Sequence, residues 1–188
     1  MEFAALEVFE ELNHNVSDSE TNKFLDFGCG IGRWARSIKA VYPKMSVYGY
    51  DINKDIINLA KKCNPKITFF QDYETFLKTG NYDYIIAPFV FHENGTDLIK
   101  EIHKVLKPRG KLFVIDYNLL NLTPNEFKQK FIEPTELEEI AQIGFRNAYL
   151  QHTAKDLKSF QNESSNYFNE ICSRSINDKY FIWTGIKK

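Results

Sequence analysis

The chain has 188 residues, 43% of them hydrophobic, which suits one domain with a single substantial core and is too apolar for a disordered protein. A net charge of −1 gives no general attraction to nucleic-acid phosphates or anionic lipid, and no apolar run approaches the roughly 18 residues of a membrane span. Three cysteines, Cys29, Cys63 and Cys172, show no CxxC pair and no His/Cys pair at metal spacing, and the acidic start lacks the pattern of a signal peptide. The expectation is a reduced cytoplasmic protein with no bound metal, a monomer or homodimer that touches neither nucleic acid nor membrane.

Residues 2–13 read as a helix with Phe3, Leu6, Phe9 and Leu12 on one face, within a short N-terminal segment spanning 1–20. A strand at 23–27 follows, then a helix at 33–42 stopped by Pro43. Residues 46–52 form a strand, and 54–63 a helix that Asn53 can cap. A strand at 66–72 and a helix at about 73–79 lead to the apolar run 82–90, a strand covered on both faces. Residues 96–107 are amphipathic with Thr96 as a cap, Pro108-Arg109-Gly110 turns the chain, and 111–117 is another strand. Residues 134–144 carry a proline at the start and a glycine past the end, the asymmetry of a helix. The last two strands are expected at 145–153 and 179–187, with polar helix between them over about 154–176. The alternation argues for a single α/β domain over 1–188: a Rossmann-like, doubly wound, seven-stranded sheet, mostly parallel with an antiparallel last strand, and helices on both faces. Segments 118–133 and 154–178 would overhang the carboxyl edge as lids.

At the end of the first strand the sequence reads Asp26-Phe27-Gly28-Cys29-Gly30-Ile31-Gly32 and then turns helical. Glycines there let a ligand lie against backbone, and amides at a helix start favour an anionic group. Asp51 ends the second strand about 20 residues on, where a carboxylate accepts from ribose hydroxyls. A dinucleotide loop of the G-x-G-x-x-G type would need glycine at 33, where Arg33 stands. The acid at Asp26 suits an ammonium and is a poor neighbour for pyrophosphate. Ribose, ammonium and carboxylate together fit S-adenosylmethionine better than NAD.

"LDFGCGIGRW", "VYGYDIN", "FFQDYETF", "YDYIIAPFVFHE" and "LIKEIHKVLKPRGKLFVID" stand in order, and in these stretches the chain resembles the class I S-adenosylmethionine-dependent methyltransferases of the small-molecule branch. The resemblance implies that Asp26 holds the methionine ammonium and that Gly28, Cys29 and Gly30 pass beneath the methionine part. It implies that Asp51 binds the ribose, Ile52 packs on adenine, and Asp72 accepts from the adenine amino group with Tyr73 alongside. Pro88 and Phe89 would close over the methionine end. His92, just past the fourth strand, is the candidate base for a small-molecule acceptor. Phe89, Phe91, Tyr117 and Trp34 would flank the cleft mouth, Phe127, Phe131, Phe160, Tyr167 and Phe168 would line an acceptor lid or a partner surface, and His152 would lie away from the site. An NAD-binding oxidoreductase and a non-catalytic cofactor-binding subunit are the alternatives.

Overall fold

The computed structural model describes residues 2–94, 97–130, 134–154 and 156–188. In chain order the elements are α1 (Glu2–Asn15), β1 (Lys23–Phe27), α2 (Arg33–Val41), β2 (Ser46–Tyr50), α3 (Lys54–Cys63), β3 (Thr68–Phe70) and α4 (Tyr73–Thr79). Then come β4 (Tyr82–Pro88), α5 (Phe91–Asn94), α6 (Asp97–Val105), β5 (Leu106–Tyr117), α7 (Pro124–Lys130), α8 (Pro134–Ile143), α9 (Phe145–His152), α10 (Leu157–Ser164), β6 (Phe168–Ile176) and β7 (Tyr180–Lys187).

The strands form one seven-stranded sheet in the order β3-β2-β1-β4-β5-β7-β6. Strands β1 to β5 pair in parallel, and β7 runs antiparallel to both β5 and β6. Strand order reverses between β1 and β4, so the crevice at their carboxyl ends is the place where such a sheet binds ligands.

Alternation along each strand divides the core between two faces. Phe24, Ile86, Phe113, Ile115 and Ile182 meet α1, α2 and α3 through Val8, Leu12, Ile38 and Ile57. Leu25, Phe27, Ile85, Val114, Phe181 and Trp183 meet α4, α6 and α10 through Phe76, Ile99, Ile102 and Phe160. The inward face of α1 is carried by Val8 and Leu12 with Phe9 beside them, whereas Leu6 is exposed. Asn53 caps α3 as expected, its side chain accepting from the Asp55 and Ile56 amides at 3.0 and 3.2 Å.

Three expectations fail. Residues 145–153 are not a strand: Phe145–His152 is helix α9, with Ala148 and His152 buried one turn apart. The sixth strand is instead Phe168–Ile176, inside the stretch expected to be helical and to serve as lid. It lies at the sheet edge with a bulge between Glu170 and Cys172, and most of its residues are exposed or half-buried, so its sequence lacks the apolar alternation of a central strand. Finally, Pro108-Arg109-Gly110 is no separate turn. It loops out within β5, where β4 residues Tyr82 and Tyr84 pair with Leu106 and Lys111. Thr96 and Phe131 lie outside the described residues.

One packing feature ties the first loop to the sheet. Phe69 of β3 fills the space that two missing Cβ atoms leave: one at Gly49 would stand 2.4 Å from its ring, and one at Gly32 2.6 Å. Gly49→Ala should therefore cost about 1–3 kcal/mol by overpacking, read as a melting temperature several degrees lower. An unchanged melting temperature would contradict this packing.

Candidate active site

A cleft of about 460 Å³ opens at the carboxyl ends of β1, β2 and β4. Gly28, Asp51, Ile52, Tyr73, Pro88 and Phe89 line it with Phe27, Tyr50, Val90 and Leu98. Six of the residues expected at a nucleoside site thus meet in one cavity.

The loop after β1 is built differently from the expectation of free amides. The Gly28 and Cys29 N–H groups both donate to the Tyr50 carbonyl, at 2.8 and 2.9 Å. Gly30 N–H donates to Asp51 Oδ2 at 2.9 Å, and Gly32 N–H to the Cys29 carbonyl at 2.8 Å. The first three donors fasten the loop to the end of β2 and the fourth closes a turn within it, so none is set out for an anion. The glycines also differ in purpose. A Cβ at Gly28 would strike Val90 Cγ1 at 2.3 Å, whereas one at Gly30 would meet nothing within 4 Å. Gly30 takes a φ of +51°, which a side chain would strain, and leaves open space above the backbone.

Asp26 points from β1 to the α2 side of the sheet and is 0% exposed. Its Oδ2 accepts from the Ala35 amide at 2.9 Å, while Oδ1 has no hydrogen-bond partner among the described residues. Burial pushes this carboxyl up to about 7, the Ala35 hydrogen bond acting the other way and the nearby Asp51 adding to the rise. Asp51 is held at the cleft from both oxygens, Oδ2 by Gly30 and Oδ1 by the Asn53 amide at 2.9 Å. Ile52 is 84% exposed. Asp72, next to Tyr73 in sequence, is not among the lining residues; it is exposed and caps α4 by accepting from Thr75 N–H at 2.7 Å, with Thr75's hydrogen bonds holding its carboxyl below the ordinary carboxylate range. The Tyr73 hydroxyl donates to the Glu101 carboxylate. Cys29 is buried.

The far wall carries backbone strain. Phe89 has a φ of +57°, unusual for a bulky residue, and its N–H donates to the Ile115 carbonyl at 2.8 Å. This turn sends the chain into α5 and brings His92 back against β5. His92 Nδ1 lies 2.7 Å from Asp116 Oδ1, and Asp116 Oδ1 and Oδ2 also accept from the amides of Tyr117, Phe91 and His92 at 2.8, 2.8 and 3.3 Å. His92 does not line the cleft. Tyr117 stands between: its ring centroid is 5.3 Å from Phe89 and 4.9 Å from His92.

Asp116 was not singled out from sequence, although an acid ending the strand beside the one that precedes His92 was a usable signal. His152 is a correction: carried on α9, it packs 4.5 Å from the His92 ring. Several aromatics also sit elsewhere than expected. Trp34 and Phe9, both partly buried, stack on each other against the core, Phe91 packs on Phe160, and Phe160 and Phe168 pack against Trp183. Phe127 is fully buried beside Leu119.

The cleft thus lies at the switch point of the sheet, with the carboxylate that follows β2, Asp51, in its wall. Residues 2–169 match the family described as "Methyltransferase domain", and the chain belongs to that family. It is similar to the phosphoethanolamine N-methyltransferase of Plasmodium falciparum, 28% identical over 174 residues, covering 84% of this chain and 65% of that protein. It also resembles a malonyl-(acyl-carrier protein) O-methyltransferase of Halalkalibacterium halodurans, 27% identical over 117 residues, covering 57% of this chain and 43% of the relative. The solved phosphoethanolamine N-methyltransferase 2 of Haemonchus contortus, in complex with S-adenosyl-L-methionine, shares the fold at a TM-score of 0.67 and 15% identity, covering 96% of this chain and 52% of that one. The chain spans about half the length of the curated relatives it matches. No helix among the described residues is long and apolar enough to cross a membrane.

Proposed function

We propose that this protein transfers the methyl group of S-adenosylmethionine to a small-molecule acceptor. The observation that carries the reading is Asp26, a fully buried carboxyl with one oxygen lacking a partner among the described residues, beneath a loop whose amides are already engaged. Such a group gains most from a ligand that brings a positively charged donor, directly or through a water, and the ammonium of an amino-acid tail is one. A pyrophosphate would meet the same acid as repulsion, which disfavours the NAD reading. The small size of the acceptor follows the Plasmodium relative, whose name gives phosphoethanolamine.

The other lining residues fit the rest of the molecule. Asp51 is oriented by Gly30 and Asn53 and retains acceptor capacity for two ribose hydroxyls. Ile52 and Tyr73 offer an exposed apolar side chain and a ring to the adenine, with Asp72 beside them for its amino group. The backbone of Gly28, Cys29 and Gly30 on one side, and of Pro88 and Phe89 on the other, confines the methionine end. S-adenosylmethionine supplies an electrophilic methyl, so the protein's task is to hold the acceptor in line with it. An acceptor that must lose a proton needs a base, and His92 is the candidate, held by Asp116 behind the Tyr117 ring rather than in the cleft wall. Asp116 accepts from Nδ1–H, which leaves the lone pair on Nε2. With the sulfonium bound, Nε2 would take the acceptor's proton while the acceptor's electron pair bonds to the methyl carbon and the carbon–sulfur bond breaks, its electron pair staying on the departing sulfur, and water would take the proton from Nε2 after release.

Asp51→Ala tests the cofactor assignment. Calorimetric titration with S-adenosylhomocysteine should show affinity weakened by about tenfold to a hundredfold, with the far-ultraviolet spectrum of the protein unchanged. Wild-type affinity in the variant would remove Asp51 from the ribose.

A further inference from the structure

Behind Phe89, three rings from three elements close on one another. His92 of α5 and His152 of α9 lie with centroids 4.5 Å apart and planes 33° from parallel. Tyr117 of β5 meets both edge-on, 4.9 Å from His92 and 4.4 Å from His152. His152 is 0% exposed, and its Nδ1 lies 2.8 Å from the Ala148 carbonyl one turn back. A carbonyl only accepts, so the proton of His152 sits on Nδ1. His92 carries its proton on Nδ1 too, through Asp116.

We propose that His152 is a positioning residue that acts through His92: α9 lays an imidazole ring against the base and holds it in the orientation and tautomer that Asp116 sets. The word base rests on the methyltransferase reading; the ring packing does not. Among the described residues, the charged and titratable groups acting on His152 include His92 on α5, Asp116 and Tyr117 on β5, and Lys179 ahead of β7. Burial first, then His92 and Lys179, pushes His152 down to about 4, with the Ala148 carbonyl and Asp116 opposing. His152 therefore stays neutral across the range in which an ordinary histidine titrates. This matters for turnover. A cation stacked on His92 would oppose its taking a proton, whereas a flat neutral ring excludes water without that repulsion. Asp116 fixes one edge of His92 and α9 covers one face, so the imidazole cannot turn over while α9 is docked.

The test is a pH series of long-range proton–nitrogen correlation spectra of the imidazole rings in wild type, His152→Ala and His152→Phe. In wild type, His152 should remain the neutral Nδ1–H tautomer from about pH 8 down to about 5.5, and His92 should be the Nδ1–H tautomer at the upper end. In His152→Ala, water reaches the exposed face, and the His92 midpoint should rise by about one pH unit with mixed tautomers. His152→Phe, which keeps a flat uncharged ring, should restore the wild-type midpoint. A charged His152 near pH 6 in wild type, an unmoved His92 midpoint in His152→Ala, or a folded His152→Phe that fails to restore it would overturn the proposal. Where His152→Ala does not fold, the wild-type and His152→Phe spectra decide. Titration with S-adenosylhomocysteine separates the two readings. Wild type that does not bind it sinks the cofactor assignment, while the spectra still report on the histidine pair.

Discussion

Replacing Asp26 with asparagine is expected to make the free protein more stable at pH 8 and to remove most of its affinity for the cofactor. The carboxyl stands at about 7 in the folded protein against 3.8 for an unperturbed group, chiefly because it is buried. A carboxyl raised on folding contributes stability that is whole below about 3.8 and is lost as pH climbs through about 7. At pH 8 the folded protein therefore carries a buried charge, at a cost of up to about 4 kcal/mol for a shift of this size. Asparagine keeps the acceptor for Ala35 N–H and removes that cost. It places an amide N–H₂ where Oδ1 was, a loss of about 1–3 kcal/mol. The balance is a gain of about 1–3 kcal/mol, or several degrees in melting temperature at pH 8, vanishing or reversing at pH 5.

Binding moves the other way. The ammonium loses its charged partner, and affinity for S-adenosylhomocysteine should fall by about tenfold to a hundredfold. Wild-type affinity should itself rise by up to about tenfold per pH unit on approaching pH 7 and level off above it, because the ligand selects the ionised acid. Thermal melts at both pH values and calorimetry across the range check all three. A variant that melts lower at pH 8 and binds like wild type would refute the role given to Asp26.

The second large effect is expected at Asp116. Asp116→Asn leaves a single carbonyl oxygen for the donors that two carboxylate oxygens now satisfy, namely His92 Nδ1–H and the amides of Phe91, His92 and Tyr117. The amide's own N–H₂ would face one of these donors. His92 would then turn or change tautomer, and its Nε2 lone pair would no longer be held in place. Methyl transfer from labelled cofactor to hydroxylated and amino acceptors should fall roughly 100- to 1000-fold. Affinity for S-adenosylhomocysteine should hold, since Asp116 does not line the cleft. Turnover near that of wild type would take the dyad out of the reaction.

The sequence made the first half of the fold plain for a physical reason. Strands β1, β2, β4 and β5 are central and apolar, and Gly28, Pro43, Asn53 and Gly80 punctuate the elements of this half. The errors fall where that contrast fades. In 145–153 the aromatic and aliphatic residues suggested a strand, yet the buried positions Ala148 and His152 are four apart, the spacing of one helical turn. In Phe168–Ile176 an edge strand with mostly solvated side chains offered no alternation to read.

The site divides in the same way. Asp51 and the glycine loop announce themselves locally, by spacing along one strand–loop–helix unit. What the loop amides do was hidden, because their acceptor, the Tyr50 carbonyl, belongs to a neighbouring strand. The pairing of His92 with Asp116 depends on how β4 lies beside β5, with Pro88 opposite Ile115. His152 reaches the same place only because residues after β5 fold back as helices.

The cofactor assignment meets its most direct test in a crystal structure of the complex with S-adenosylhomocysteine. The ligand's amino nitrogen is expected within hydrogen-bonding reach of Asp26 Oδ1, directly or through one water, and both ribose hydroxyls on Asp51. A ribose placed away from Asp51, or an amino group paired elsewhere with Asp26 left alone, would contradict it.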